Sequence, residues 1–316
     1  MWRSGWHLGR TRRLALAGAL AVVAPLLVAC GGDAEEPTGA ESGSTASLEP
    51  FEDQPFTVGQ EFWQNGFHVT LGDGLLTAED DTSLGDVART YVVSLEATFE
   101  NLGDESATFR SETTLDSGAG FFSLSGQSEL SEVPGGLTGS GSMVFIVDDG
   151  FDPATATLIV GSDGENRSEV PLGGGGVVTI EPQQFELEGG LSLELIDLEL
   201  TSLDVRGDRP SNHTQVEDGK LAFTVYFDAE SRNSGNWSIP ANALALILPD
   251  GLAVAPESAS IGSLPGSDSG VTTSGLSVTY QVDAPAEGDY TLRLTAPSWF
   301  VGADDATEAT ANFTVG

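Results

Sequence analysis

Cysteine and lysine are almost missing from this chain of 316 residues, each occurring once, as Cys30 and Lys220. A lone cysteine excludes an intrachain disulfide, so if the protein is exported, Cys30 either pairs between chains or has another role. Histidine is nearly as scarce, with only His68 and His213 after residue 30. A histidine-cysteine metal centre and a cysteine nucleophile are therefore excluded from the mature part of the chain. Neither histidine lies in a recognisable nucleophile motif, which removes the usual serine triad. Positive charge is also short, with 12 Lys and Arg against 48 Asp and Glu. Such a surface repels phosphate backbones and anionic headgroups, so nucleic-acid binding is not expected. Long helical periodicity is missing too. Apolar residues come in short alternating runs punctuated by 40 glycines, which points to an all-β fold.

The one strongly apolar segment is at residues 14–29. It follows Arg3, Arg10, Arg12 and Arg13 and ends at Leu27-Val28-Ala29-Cys30. At 16 residues, interrupted by Pro25, it is short for a membrane-spanning helix, which needs about 20, but has the layout of an export signal. Its last four residues resemble the bacterial lipobox, in which the signal is cut before cysteine and the thiol is acylated. That resemblance implies a signal peptide at 1–29 and a lipid, such as palmitate, on Cys30. The protein would then sit on the cell membrane, facing outside the cytoplasm. Thr11-Arg12-Arg13-Leu14-Ala15-Leu16 can also be read as a twin-arginine signal, so the export route stays open. Once the four signal arginines are removed, 8 basic residues face 48 acidic ones, a formal charge of about −40.

Residues 30–55 are rich in Gly, Ser, Glu and Pro and read as a disordered tether with ends about 25–30 Å apart. The first folded domain is expected over 56–172. Asn65-Gly66 between two apolar-rich runs predicts a hairpin with a two-residue turn. Residues 91–101 alternate, with Tyr91, Val93, Leu95, Ala97 and Phe99 on one face, and Met143–Val147 and Ala154–Val160 supply further strands. His68 falls on the polar face of its strand and reads as a solvated residue. Gly173–Gly176 marks a boundary, and a second domain over 177–316 repeats the plan. Here the alternation changes phase between Leu195 and Ile196, which suggests a β-bulge in one long strand. Leu221, Phe223, Val225 and Phe227 predict an inward face, and Gly288-Asp289-Tyr290 resembles the tyrosine corner of immunoglobulin-like folds.

Three features together, Val58-Gly59-Gln60 before the hairpin, the strand-turn-strand around Asn101-Leu102-Gly103-Asp104, and the glycine-rich approach from Gly135 to Phe145, resemble the telokin-like extracellular domains of bacterial lipoproteins. The resemblance covers about 120 residues. It implies two tandem immunoglobulin-like β-sandwiches and carries over no catalytic residue.

Candidate sites are few. Asp80, Asp81, Asp86, Asp148, Asp149 and Asp152 offer the oxygen ligands that calcium prefers, but none follows EF-hand spacing, and no cofactor is expected. Arg206-Gly207-Asp208 spells an integrin-type tripeptide in a turn-rich stretch and reads as a turn. The Asn-x-Ser/Thr matches at Asn166, Asn212, Asn236 and Asn312 matter only in a host that glycosylates exported proteins. The sequence thus predicts a non-enzymatic, lipid-anchored envelope protein that binds an extracellular or envelope protein or polymer. A carboxylate- or metal-dependent hydrolase of envelope polymers and a passive spacer are the alternatives. A carboxylate pair in one cleft would favour the hydrolase, and an exposed aromatic patch including Trp237 or Trp299 the binding module.

Overall fold

A computed structural model describes residues 49–81, 88–236, 238–266, 271–296 and 307–316. The signal, Cys30, Asp86, Trp237 and Trp299 lie outside the described residues. Residues 47–316 form one compact unit. Among the described residues the regular structure is all strand, apart from two 3-10 turns at Pro210–Asn212 and Ala241–Ala243. No described helix is long and apolar enough to cross a membrane.

The first half begins with β1 (Gln54–Gln64), β2 (Phe67–Asp81) and β3 (Ala88–Asn101). Short strands follow: β4 (Ala107–Thr108), β5 (Thr113–Asp116), β6 (Phe121–Ser123) and β7 (Glu132–Val133). It ends with β8 (Thr138–Val147), β9 (Thr157–Val160) and β10 (Ser168–Pro171). One antiparallel sheet runs β1-β2-β3-β8 and the other β10-β9-β5-β6. Phe62, Val69, Leu95 and Phe145 from the first sheet meet Leu115, Leu158 and Val170 from the second in one hydrophobic core. The expected hairpin is present, with Asn65 and Gly66 at φ 50° and 74°. Positive φ at both turn positions matches the right-handed twist of the strands it joins.

The second half starts with β11 (Gln183–Glu186), β12 (Gly190–Leu193), β13 (Ile196–Arg206), β14 (Asp208–Arg209) and β15 (Thr214–Gln215). It continues with β16 (Lys220–Ser231), β17 (Leu244–Ile247), β18 (Ala253–Val254) and β19 (Ser258–Ser260). β20 (Thr272–Asp283), β21 (Gly288–Thr295) and β22 (Glu308–Val315) complete it. The larger sheet runs β11-β13-β16-β20-β19, with β12 also on β13, and the other runs β18-β17-β21-β22. Leu203, Phe223, Val225 and Val278 of one sheet pack on Leu244, Leu292 and Phe313 of the other. The fold is therefore an all-β sandwich arrangement with two hydrophobic cores. The cores change over at residues 179–180, since Val177 packs on the first and Ile180 on the second. The buried Tyr290 donates its hydroxyl to the carbonyl of Ala286 at 2.9 Å, the tyrosine corner expected from its sequence.

One expectation is corrected. The phase change after Leu195 is a tight hairpin, in which Leu193 pairs with Ile196 as β12 turns back along β13. The bulge comes a few residues later, where the register of β13 against β16 shifts between Leu200 and Ser202. Before it Leu198 and Leu200 face the core, and after it Leu203 and Val205 do. The extra residue thus turns Ser202, Asp204 and Arg206 to the outer face, as bulges near functional surfaces commonly re-aim side chains.

Candidate functional site

The outer face of the larger second-half sheet carries two polar rungs fixed by strand register. Asp204 of β13 lies beside Thr224 of β16, then Thr279 of β20, then Ser258 of β19. The next rung runs Ser202, Tyr226, Ser277 and Ser260. The alternation that buries Phe223, Val225, Val278 and Tyr280 obliges these neighbours to face outward. Thr224 and Thr279 share a hydroxyl hydrogen bond of 3.0 Å.

This face is the floor of a cavity of about 360 Å³. Its walls come from both halves: the turn Leu102-Gly103-Asp104 from the first, and Arg206, Arg209 and the 3-10 turn from the second. Asp204, Arg206 and Tyr226 also border a shallower hollow beside Pro182 and Gln184, so the depression extends as a groove past the cavity.

Its walls are held by an interlocked seam. The β1–β2 turn reaches the second half, where Gly66 N donates to Asp208 Oδ2 at 2.6 Å and Asn65 N to Gln215 Oε1 at 3.0 Å. In return His213, at φ 52°, packs its ring 5.4 Å from that of Phe67 and bonds Asn101 Oδ1 through Nε2 at 2.8 Å. The side chain of Asn166 is anchored to Gly207 O, Lys220 O and Gly219 N, so this sequon is buried in the seam. A Cβ on Gly66 would lie 2.8 Å from Pro210 Cα, so glycine permits the close approach as well as the turn.

The Arg206-Gly207-Asp208 tripeptide belongs to this seam. Asp208 is buried and accepts from Arg206 Nε at 2.8 Å, an arrangement that leaves no exposed aspartate for a receptor. Arg206 Nη1 stands 3.9 Å from Asp204 Oδ2, beyond hydrogen-bond reach, and Arg206 Nη2 is buried without a hydrogen-bond partner. Burial pushes the Asp204 carboxyl above the usual carboxylate range; Arg206 pulls it back in part, and Asp208 adds to the rise. The Tyr226 phenol is raised as well, chiefly by burial and then by the charge of Asp204.

The sign of the Asp204 shift gives a test. A carboxyl raised in the folded state favours folding when protonated, and that contribution is lost as pH rises through the folded value. Asp204→Asn is therefore expected to stabilise the protein relative to wild type at pH 7. The advantage should shrink to nothing at pH values below the ordinary carboxylate range, as read by urea unfolding across pH.

Among the described residues, the acidic side chains singled out from sequence are not gathered into one site. Asp80 is held by the fork of Arg89, with Nε at 2.6 Å and Nη2 at 3.0 Å, and this bond keeps its carboxyl below the usual range. Asp148 and Asp149 lie in an exposed turn, where the Asp148 carbonyl accepts Phe151 N at 3.3 Å. Asp152 accepts Ala154 N at 2.9 Å through Oδ1, as a turn-forming aspartate does. The side chains of Asp81 and Asp86 lie outside the described residues. Among the described residues no three His, Cys, Asp or Glu side chains are placed to hold a metal ion. His68 is on the outer face, as its strand phase requires, but is half-buried: it stacks on Trp63 at 4.6 Å between Glu100 and Glu61, at 3.2 and 3.1 Å.

The groove residues Asp204 and Tyr226 were not singled out from sequence. The only signal was their outward phase on strands that bury their other face. No protein-family model matches the chain, and no curated protein matches it. Among solved structures, a 2.2 Å crystal structure of a conserved hypothetical protein from Bacillus anthracis is similar at 13% identity and a TM-score of 0.28, over 39% of this chain and 99% of that one. A conserved domain protein from Bacillus anthracis is similar at 12% identity and a TM-score of 0.22, over 83% of this chain and 90% of that one. Neither likeness is strong enough to carry a fold or a function to this chain.

Proposed function

We propose that the chain is a lipid-anchored cell-envelope protein with two tandem sandwich domains, which binds a ligand in the groove floored by Asp204, Thr224 and Tyr226. The observation that carries the binding role is the polar cavity itself: half-buried charged and hydroxyl side chains converge where the two halves lock together. The seam fixes the wall from the first half against the floor from the second, so the site is ordered before a ligand arrives and little entropy is lost on binding. The anchor is proposed from the lipobox-like Leu27-Val28-Ala29-Cys30. Acyl chains on Cys30 would hold the protein to the membrane, facing outside the cytoplasm, by about 0.8 kcal/mol per buried methylene. The residues between Cys30 and Phe51 would set its reach, since Phe51 packs on Tyr91 and β1 begins at Gln54, earlier than the expected domain start at 56.

Fractionation tests the anchor. Cys30→Ala is expected to move nearly all of the protein from the membrane pellet to the soluble fraction. A variant that stays in the pellet as fully as wild type would remove the lipid from the account.

A second reading has one observation in its favour. Asp104 and Asp204 line the same cavity, and Asp204 is raised, the arrangement from which a carboxylate-dependent hydrolase of envelope polymers would work. Hydrolysis of a bound polymer that stops in Asp204→Asn while binding persists would establish that reading over simple binding.

A further inference from the structure

We infer that the groove takes a neutral saccharide, on hydrogen-bonding grounds that deepen the binding role proposed above and rest on it. The first ground is the gap between Asp204 and Arg206. A carboxylate only accepts and a guanidinium only donates, yet the two stand 3.9 Å apart without a hydrogen bond. The pair is too close for an atom between them, but a group lying to one side, within about 3 Å of both, would accept from Arg206 Nη1 and donate to Asp204. A hydroxyl does both. A carboxylate or phosphate oxygen meets Arg206 but has no proton for Asp204, and an ammonium serves Asp204 but offers nothing to Arg206.

The second ground is the floor. Thr224, Thr279, Ser258, Ser260 and Ser277 are hydroxyls, each able to donate and accept, in two rows spaced by the strands. Such a surface matches a ring of hydroxyls whatever the direction of each bond, and the floor rows themselves bring no charge. Tyr226, in the middle of its rung, adds an aromatic side chain suited to the C–H face of a sugar ring.

The third ground is charge and size. Asp104, Asp204 and the excess of acidic residues in the chain oppose anionic ligands, while Arg206 and Arg209 in the wall oppose a cation. An anion or a cation thus meets a like charge as well as an opposite one, and a neutral polar ligand meets no such conflict. The cavity, at about 360 Å³, is at the small end of small-molecule sites, room for about one or two sugar rings. The shallower hollow beside Pro182 and Gln184 leaves a way out along which a longer chain would continue.

The test is saturation-transfer NMR on the full mature chain, with cellobiose, maltose and diacetylchitobiose as neutral probes and glucuronate and trilysine as charged ones. The expected result is saturable transfer to ring protons of at least one neutral disaccharide, with Kd on the order of 1 mM or tighter. Tyr226→Ala should weaken it at least about tenfold. Ser260→Trp, at an exposed edge-strand position, fills the groove without touching either core and should do the same, so the test survives if the Tyr226 variant misfolds. Transfer only to a charged probe, blocked by Ser260→Trp, would overturn the saccharide and leave the binding role standing. Transfer to no probe at about 10 mM, or transfer unchanged by both substitutions, would overturn the inference, whatever the Cys30→Ala fractionation shows.

Discussion

Asp208→Ala is expected to cost about 3–5 kcal/mol, the range for breaking a buried ion pair by removing one partner. Asp208 is 2% exposed, and its two carboxylate oxygens are committed to Arg206 Nε and Gly66 N. Alanine leaves Arg206 Nε and the Gly66 amide without their acceptor in the seam. Asp204→Ala, only two residues away, should change stability far less, because Asp204 is half-buried and bears no hydrogen bond to Arg206. Equilibrium unfolding in urea reads both, and the Asp208 variant should shift the midpoint with little change in slope. A loss below about 1 kcal/mol, the worth of a single ordinary hydrogen bond, would mean that the seam is not held by this carboxylate.

The second large effect is expected at Gly103, where a side chain has no room. A Cβ there would lie 2.5 Å from the Pro210 carbonyl oxygen and 2.8 Å from His213 Cε1. The first of these is backbone and cannot rotate away, so Gly103→Ala should force the seam apart at about 1–3 kcal/mol. Gly126→Ala is the matched control, since a Cβ there meets nothing within 4 Å. Hydrogen exchange should rise first at Leu102 N, which bonds Gly66 O at 2.9 Å, while the amides of β3 and β16 stay protected. Exchange that rises equally through both cores would place the strain in the sandwiches and not in the seam.

Much of the fold was legible in the sequence because strands bury one face. The alternation at Val93, Leu95, Ala97 and Phe99, and again at Leu221, Phe223, Val225 and Phe227, identified inward faces that the structure keeps. Asn65-Gly66 fixed its turn because few other dipeptides tolerate two positive φ angles. The phase change at Leu195 was ambiguous for a physical reason: a two-residue hairpin and a bulge both invert alternation, and only pairing partners distinguish them. The groove was hidden for a related reason. Neighbours in the row Asp204, Thr224, Thr279 and Ser258 are separated by 20 to 55 positions and meet only when four strands align, which local pattern does not encode. Asp208 was equally opaque, since a turn-forming aspartate and a buried seam aspartate look alike until the partner Gly66 is known.

The electrostatics also decide how the protein should be probed. Lys220 is the single amine side chain, and Glu217 Oε2 holds its Nζ at 2.6 Å, a bond that raises its pKa. Amine-directed cross-linkers are therefore nearly blind to this surface.

In-cell photo-cross-linking from chosen positions tests the central claim most directly. A photoreactive residue at Ser260 or Thr224 reports on the groove, and one at the exposed Phe121 or Ile146 reports on the first sandwich away from it. The account predicts a recurrent adduct from the groove positions alone, lost when Cys30→Ala releases the protein from the membrane. Equal yields of scattered adducts from all four positions would contradict a working groove and leave the protein a spacer.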